Sequence, residues 1–416
     1  MLSRRALLAG AGATALAALG GGQRRAEAAP LLDDGLRNPC LDSRLPERLA
    51  RHEIVRAAWE GIDPARVWDV HVHLVGDGDS GQGPWLPAEA RSLRHPVAYI
   101  RRLTLMNAGC VNPQAVDRSY VDRLLGLVEV FPPGARCLLL AFDYHHDADG
   151  RAVPTRSSFH VPDQYAAGVA ERFPHRFEWA ASIHPYRRDA VAALEAARSR
   201  GARAVKWLPN SMGIDPAAPR CDDFYAALAR TGTPLLTHAG HEGTVDAGAG
   251  GQDLGNPLRL RRALDHGVRV IVAHCASVGN GVDLDVGPNG PRVGNFSLFA
   301  RLMEDPRYAR LLLGDISALV QRNRAAVALA ALLTRADWHG RLLWGSDYPL
   351  PGVMPLINVH AIAGLGLLDP REVPVIVEIR RHNPLLFDFV LKRRLAADGR
   401  RFAPRVFETR EYFVAA

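Results

Sequence analysis

"DDFYAALARTGTPLLTHAG", residues 222–240, contains one full unit of the pattern that decides the fold. Phe224, Tyr225 and Leu228 recur at helical spacing, and two aspartates open the segment, where a helix N-terminus favours negative charge. Gly232 then stands where a helix end wants a left-handed residue. The apolar run to His238 follows at once and leaves no room for a hairpin, so the strand must run parallel to its predecessor.

The unit repeats on both sides. Strand-like runs are VWDVHVHL (67–74), RCLLLAFDY (136–144), FEWAASIHP (177–185), ARAVKWLP (202–209), TPLLTHAG (233–240), RVIVAHCAS (269–277), RLLLGDISA (310–318) and RLLWGSDYP (341–349). Between them lie helical patterns such as DAVAALEAARSRG (189–201) and NPLRLRRALDHG (256–267), the latter with capping chemistry at Asn256. Gly201, Gly232, Gly267 and Gly340 read as helix ends before the next strand. Eight alternating units over residues 67–349 predict an α/β fold, a (β/α)8 TIM-like barrel with helices outside a parallel ring. A doubly wound open sheet is the structural alternative, and no GxGxxG follows the first strand to support it.

Two regions depart from the repeat. Gly76 to Arg136 is an extended first connection, opening with GDGDSGQGPWLP (76–87) and continuing into two helices, a candidate lid. Residues 29–66 form an N-terminal flanking segment, the barrel runs over 67–391, and 392–416 is a C-terminal tail. The flanking segment and the chain after Gly352 are expected to pack around the outside of the barrel.

Residues 1–28 read as an export leader of twin-arginine type. Arg4 and Arg5 precede the Ala/Leu/Gly-rich stretch Ala6–Leu19, and Ala26-Glu27-Ala28 fits a small-x-small cleavage site. The mature protein is therefore expected in the periplasm or outside the cell. No other stretch is long and apolar enough for a transmembrane helix, so no stable membrane anchor is expected. The net charge is +7, but the leader alone holds four arginines against one glutamate. No basic run interleaved with aromatics appears, which argues against nucleic acid as a partner. Five cysteines give no CxxC pair; one disulfide is possible and its pairing stays open. Cys275 is expected to be small, buried and turned away from the site. The oligomeric state is not legible.

The chemistry concentrates at strand ends. In WDVHVHLVG (68–76), residues i and i+2 share a face, so His71 and His73 project side by side, with Asp69 on the same face. In a parallel barrel all C-terminal strand ends open into one mouth. Taken in order, these ends carry His71, His73, Lys206, His238, His274 and Asp347. Alternation groups His274 with Val270 and Val272, His238 with Leu236, and Asp347 with Leu343 and Gly345. Singly, each is an ordinary core or rim residue. Six in register can converge on one or two ions.

This set resembles the amidohydrolase superfamily. ARAVKWLP, TPLLTHAG, IVAHCAS and LLWGSDYP are most similar to its amidohydrolase-2 branch, which includes aminocarboxymuconate-semialdehyde decarboxylase-like enzymes, and HNPLLF (382–387) is similar to that branch's closing helix. The resemblance implies a barrel with a divalent metal, zinc first and manganese or iron as alternatives, used for hydrolysis or in some members decarboxylation. It implies His71, His73, His238 and Asp347 as ligands of a single ion, with His274 as acid or base. In two-metal members a lysine at the place of Lys206 is carboxylated and bridges the ions, with His238 and His274 on the second. Metal number stays open at one or two.

The expected activity is metal-dependent hydrolysis of an amide, lactone or other ester-like bond of a small-molecule substrate, with Asp347 and His274 as catalytic groups. Decarboxylation of an unsaturated or aromatic acid is the alternative, and a non-catalytic binding protein the more remote one. The loops DYHHD (143–147), HPYRR (184–188) and GHEG (240–243) offer His145, His146, Arg187 and His241 as substrate contacts. Arg187 and Arg188 could grip a carboxylate bidentately.

Overall fold

All eight strand-like runs form strands, each shorter than the run that predicts it. In the computed structural model, which describes residues 35–243, 247–248 and 250–414, they are β1 (Trp68–His73), β2 (Arg136–Leu140), β3 (Phe177–Ala180), β4 (Val205–Trp207), β5 (Leu235–His238), β6 (Val270–Ala273), β9 (Leu312–Asp315) and β10 (Leu342–Leu343). The leader predicted over residues 1–28 lies outside the described residues. A small antiparallel hairpin, β7 (Asn280–Val282) with β8 (Arg292–Gly294), interrupts the series.

Every pairing among the eight is parallel, in the orders β1-β2-β3 and β10-β9-β6-β5-β4. The two runs meet at both seams. Ala181 bridges Val205, with Lys206 N–H donating to the Ala181 carbonyl at 2.7 Å. Val72 bridges Tyr348, with His73 N–H on the Tyr348 carbonyl at 2.9 Å and Val70 N–H on that of Trp344 at 3.2 Å. The strands thus follow one another around a ring, and the (β/α)8 arrangement stands.

Trp68, Val70, Leu138, Leu236, Ile271 and Leu343 fill the ring, while the alternate residues pack outward under the helices. Gly201, Gly232 and Gly267 take the left-handed angles expected of helix ends, φ +95°, +63° and +79°. Gly340 does not: it lies within a 3-10 turn, Ala336–Arg341, after the preceding helix has stopped at Thr334. Asn256 caps as expected, accepting from Leu258 N–H, whereas Asp222 sits inside the first turn of its helix, paired with Arg262.

The C-terminal tail corrects one expectation. Instead of lying wholly outside, it crosses the N-terminal end of the ring, where Phe413 joins the interior cluster and stacks on Trp68 with centroids 6.1 Å apart. Thr409 fastens it by donating its hydroxyl to the Trp68 carbonyl at 2.6 Å. The opposite end stays free for the site. The helix Pro384–Arg394 is buried along nearly its whole length, and Lys392 reaches the Gly345 carbonyl at 2.8 Å and Asp388 at 2.7 Å. The expected boundary at Leu391 falls inside this helix.

The extended first connection carries α1 (Pro96–Ala108) and α2 (Val116–Val128). A disulfide between Cys40 and Cys110 ties the N-terminal flanking segment to the end of α1. Cys275 is buried in the outer layer, its thiol on the Asp315 carbonyl, turned away from the site as expected. Among the described residues no helix is long and apolar enough to cross a membrane.

Candidate metal centre

Two backbone irregularities bring the histidines inward, and both correct a reading based on strict alternation. In β1 the register against β2 shifts between Asp69 and Val72. Trp68 and Val70 point into the ring, but beyond the shift Val72 packs outward and His71 and His73 face the cavity. Asp69 is therefore not on their face. Its Oδ1 accepts from His71 N–H at 3.1 Å and Ser346 N–H at 2.8 Å, clamping β1 to the turn after β10. Burial pushes its carboxyl up to about 7.

In β6 the inward residues are Ile271 and Ala273, with Val270 and Val272 packed outside. Alternation alone would send His274 outward with the valines. The strand ends at Ala273, and His274 takes φ +55°, which swings its ring into the cavity. Asp315 holds this strained residue by accepting its N–H at 2.9 Å. The other expectations hold: Lys206 follows inward Ala204, His238 follows Leu236, and Asp347 shares the parity of Leu343. Gly345 makes room for this convergence, since a Cβ there would stand 2.8 Å from the Cβ of His71.

The six residues meet at one end of a cavity of about 420 Å³. Asp347 Oδ1 lies 3.2 Å from His73 Nε2 and 3.6 Å from His71 Nε2, while its Oδ2 lies 4.0 Å from His274 Nε2. The rings of His71 and His274 stack at 4.9 Å, and His238 stands edge-on to His274 at 5.4 Å. Lys206 Nζ is 3.1 Å from His71 Nε2, and burial brings its ammonium down to about 8. Ligand atoms of His71, His73 and Asp347 fall within 4.8 Å of one another, the spacing of donors around a single ion; His71, His274 and Asp315 form a second such group.

Each inner imidazole is oriented from behind. His71 Nδ1–H donates to Asp315 Oδ2 at 2.8 Å. His274 Nδ1 contacts the Ser317 carbonyl at 3.2 Å, an acceptor only, so this nitrogen carries the proton; Ser317 Oγ is 2.8 Å away. His238 Nδ1 faces Glu242 at 3.4 Å. All three therefore present an Nε2 lone pair to the centre, the arrangement that metal-binding histidines use. His238 Nε2 is buried and, among the described residues, has no hydrogen-bond partner. Burial holds the imidazoles of His71 and His274 well below their usual range, and brings His238 down to about 4. Neutral rings with inward Nε2 atoms fit a divalent cation.

The proposed substrate contacts lie elsewhere. His145 turns its ring to the Ser211 carbonyl, His146 packs on His184 with centroids 4.4 Å apart, and His241 is half-buried against Gly279. Arg187 is engaged by Asp189 at 2.8 Å and Asp143 at 3.4 Å. None of the four lines the cavity. Its walls instead include Trp85, Phe142, Phe159, Leu208 and Leu350, with Met106 from α1, so the first connection does cover the site. Asp315, Ser317, Glu242 and Arg324 are site residues that the sequence reading passed over. A polar residue closing the apolar run "LLLGD" was the available signal for Asp315.

A family model described as amidohydrolase matches residues 68–354. Similar solved structures include an uncharacterized TIM-barrel protein from Bordetella bronchiseptica (16% identity, 77% of this chain and 99% of that one, TM-score 0.45). Others are a candidate 2-pyrone-4,6-dicarboxylic acid hydrolase from Pseudomonas putida (15%, 78% and 97%, TM-score 0.43) and 5-carboxyvanillate decarboxylase from Sphingomonas paucimobilis (11%, 76% and 96%, TM-score 0.40). No curated protein matches the chain. With the family model spanning both the ring and all six converging residues, the chain belongs to the amidohydrolase family and is an enzyme.

Proposed function

We propose that the protein is a metal-dependent hydrolase that uses water to cleave an amide, lactone or other ester-like bond of a small molecule. The observation that carries this reading is the ring of back-supported imidazoles whose Nε2 atoms turn inward to meet Asp347 in one cavity. A divalent ion held by His71, His73, His238 and Asp347 would polarise the scissile carbonyl and acidify the attacking water. Zinc suits this donor set best, with manganese or iron also fitting. One ion needs these four residues; with two, His238 and His274 would hold the second and a carboxylated Lys206 would be shared between them.

The protein groups divide the proton work. Asp347 takes the proton of the attacking water at a carboxylate oxygen and passes it on to the leaving nitrogen or oxygen. His274 is protonated at Nδ1 toward Ser317, so its Nε2 starts as an acceptor and can donate only after taking a proton. The apolar walls exclude bulk water and strengthen each of these interactions. We also propose that the leader exports the folded enzyme to the periplasm or beyond; the Cys40–Cys110 disulfide fits an oxidising compartment.

The test is a panel of lactones, amides and unsaturated acids assayed for hydrolysis products and for released CO2. Hydrolysis by the wild type, lost about 1,000-fold or more in Asp347→Asn with an unchanged melting temperature, is the expected result. Release of CO2 without hydrolysis would make the enzyme a decarboxylase, and substantial turnover in Asp347→Asn would remove Asp347 as the base.

A further inference from the structure

The exposed aliphatic side chains of the molecule are not scattered evenly. Among the described residues eight large apolar side chains stand in solvent, and five of them cluster at one element. Leu93, Val97 and Leu103 belong to α1 or the turn before it, and Leu36 and Leu41 to the flanking segment that the Cys40–Cys110 disulfide ties to it. Leu93 and Val97 are 76% and 61% exposed, far beyond what a covered helix would leave. Val97, Ile100 and Thr104 recur at helical spacing opposite the buried Met106. One face of α1 therefore walls the cavity, through Ala98, Leu105 and Met106, and the other is apolar without a cover.

The same stretches are strongly basic. Residues 35–44 and 88–108 hold six arginines against only Asp42 and Glu89. Arg91 and Arg102 share Asp77, whereas Arg37 and Arg94 are exposed and form no ion pair among the described residues. This charge selects the occupant. A second copy placed on the face about a two-fold axis would set arginine against arginine. A bilayer buries aliphatic side chains one at a time, and anionic headgroups answer the arginines. Glu89 and His95, exposed residues of the same stretch, also line the cavity, so its mouth opens beside this face.

We propose that this face docks the enzyme reversibly on a bilayer surface rich in anionic phospholipid. Leu93 and Val97 enter the lipid, the arginines meet phosphate groups, and the cavity mouth is held at the surface. An apolar substrate dissolved in the bilayer then reaches the apolar cavity walls without crossing bulk water. The docking needs no transmembrane helix and does not depend on which bond the enzyme cleaves.

Flotation of the full chain with phosphatidylcholine vesicles, alone or with about 30% phosphatidylglycerol, tests the proposal. The wild type should bind the mixed vesicles about 30-fold or more tighter, and the gain should shrink as salt rises from about 0.05 to 0.5 M. Arg37→Gln/Arg94→Gln should lose about 10-fold or more, and the charge-neutral Leu93→Ser/Val97→Ser about 10-fold, with melting temperatures unchanged. Val327→Ser/Leu365→Ser, exposed elsewhere, should bind as the wild type does. Comparison within one chain length keeps any contribution of residues 1–28 common to all variants. An environment-sensitive dye on Leu93→Cys should shift to the blue when mixed vesicles are added, and the same dye on Val327→Cys should not. Equal binding by wild type and Leu93→Ser/Val97→Ser, or a dye at Leu93→Cys that vesicles leave unmoved, would overturn the proposal. So would a concentration-dependent dimer abolished by Leu93→Ser/Val97→Ser, which would assign the face to a second copy.

Discussion

His274 and Asp347 both hold left-handed backbone angles, φ +55° and +63°, which cost side-chain-bearing residues of the order of 1–2 kcal/mol each. Both are pinned by hydrogen bonds, His274 N–H on Asp315 Oδ1 and Asp347 N–H on the His71 carbonyl at 2.8 Å. Asp315 carries more of this positioning than any other group: it also receives His71 Nδ1–H and the Ser317 N–H and hydroxyl. Asp315→Asn should therefore weaken metal affinity about 10–100-fold, read by competition with a chromogenic chelator. An unchanged affinity would show that His71 needs no partner at Nδ1. The converging residues were legible because chemistry-bearing side chains recur at the ends of apolar runs. The way His274 reaches the cavity was not, because the left-handed turn that begins at His274 and continues through Cys275 and Ala276 breaks the alternation on which such a reading depends.

At the scale of elements, the strands were legible and the closing details were not. Continuous Leu/Val/Ile runs between glycine-terminated helices admit few arrangements other than a parallel ring. The shift in β1 and the entry of Phe413 leave no periodic trace, and cysteine spacing alone cannot say which thiols meet. The Cys40–Cys110 disulfide closes a separation of 70 residues and anchors α1, whose Arg101, Leu105 and Met106 wall the cavity. Asn38 and Asn107 reinforce it with hydrogen bonds of 2.9 and 3.2 Å. Replacing both cysteines by serine should cost about 2–4 kcal/mol of stability. It should raise KM more than it lowers kcat, since the displaced wall binds substrate without touching the reacting atoms. Thermal melts with steady-state kinetics check this; an unchanged melting temperature and KM would mean the flanking segment does not hold α1 in place.

For the molecule as a whole, the two ends of the ring have different tasks. The tail seals one end through Phe413 and Thr409, and the other gathers the polar residues under the extended first connection. This separation lets a water-excluding reactive end rest on a stable base. Export of the folded, metal-loaded enzyme follows from the proposed leader, so replacing Arg4 and Arg5 by lysines should retain the full-length chain in the cytoplasm. Cell fractionation would show this, and normal export of that variant would contradict a twin-arginine route.

The proposed reaction depends on a metal held by His71, His73, His238 and Asp347. Elemental analysis of protein purified without chelators, beside a His71→Ala/His73→Ala variant, tests it most directly. One or two divalent ions per wild-type chain and none in the variant are expected. A wild type that stays metal-free after incubation with zinc or manganese, or a variant that retains the full complement, would contradict it.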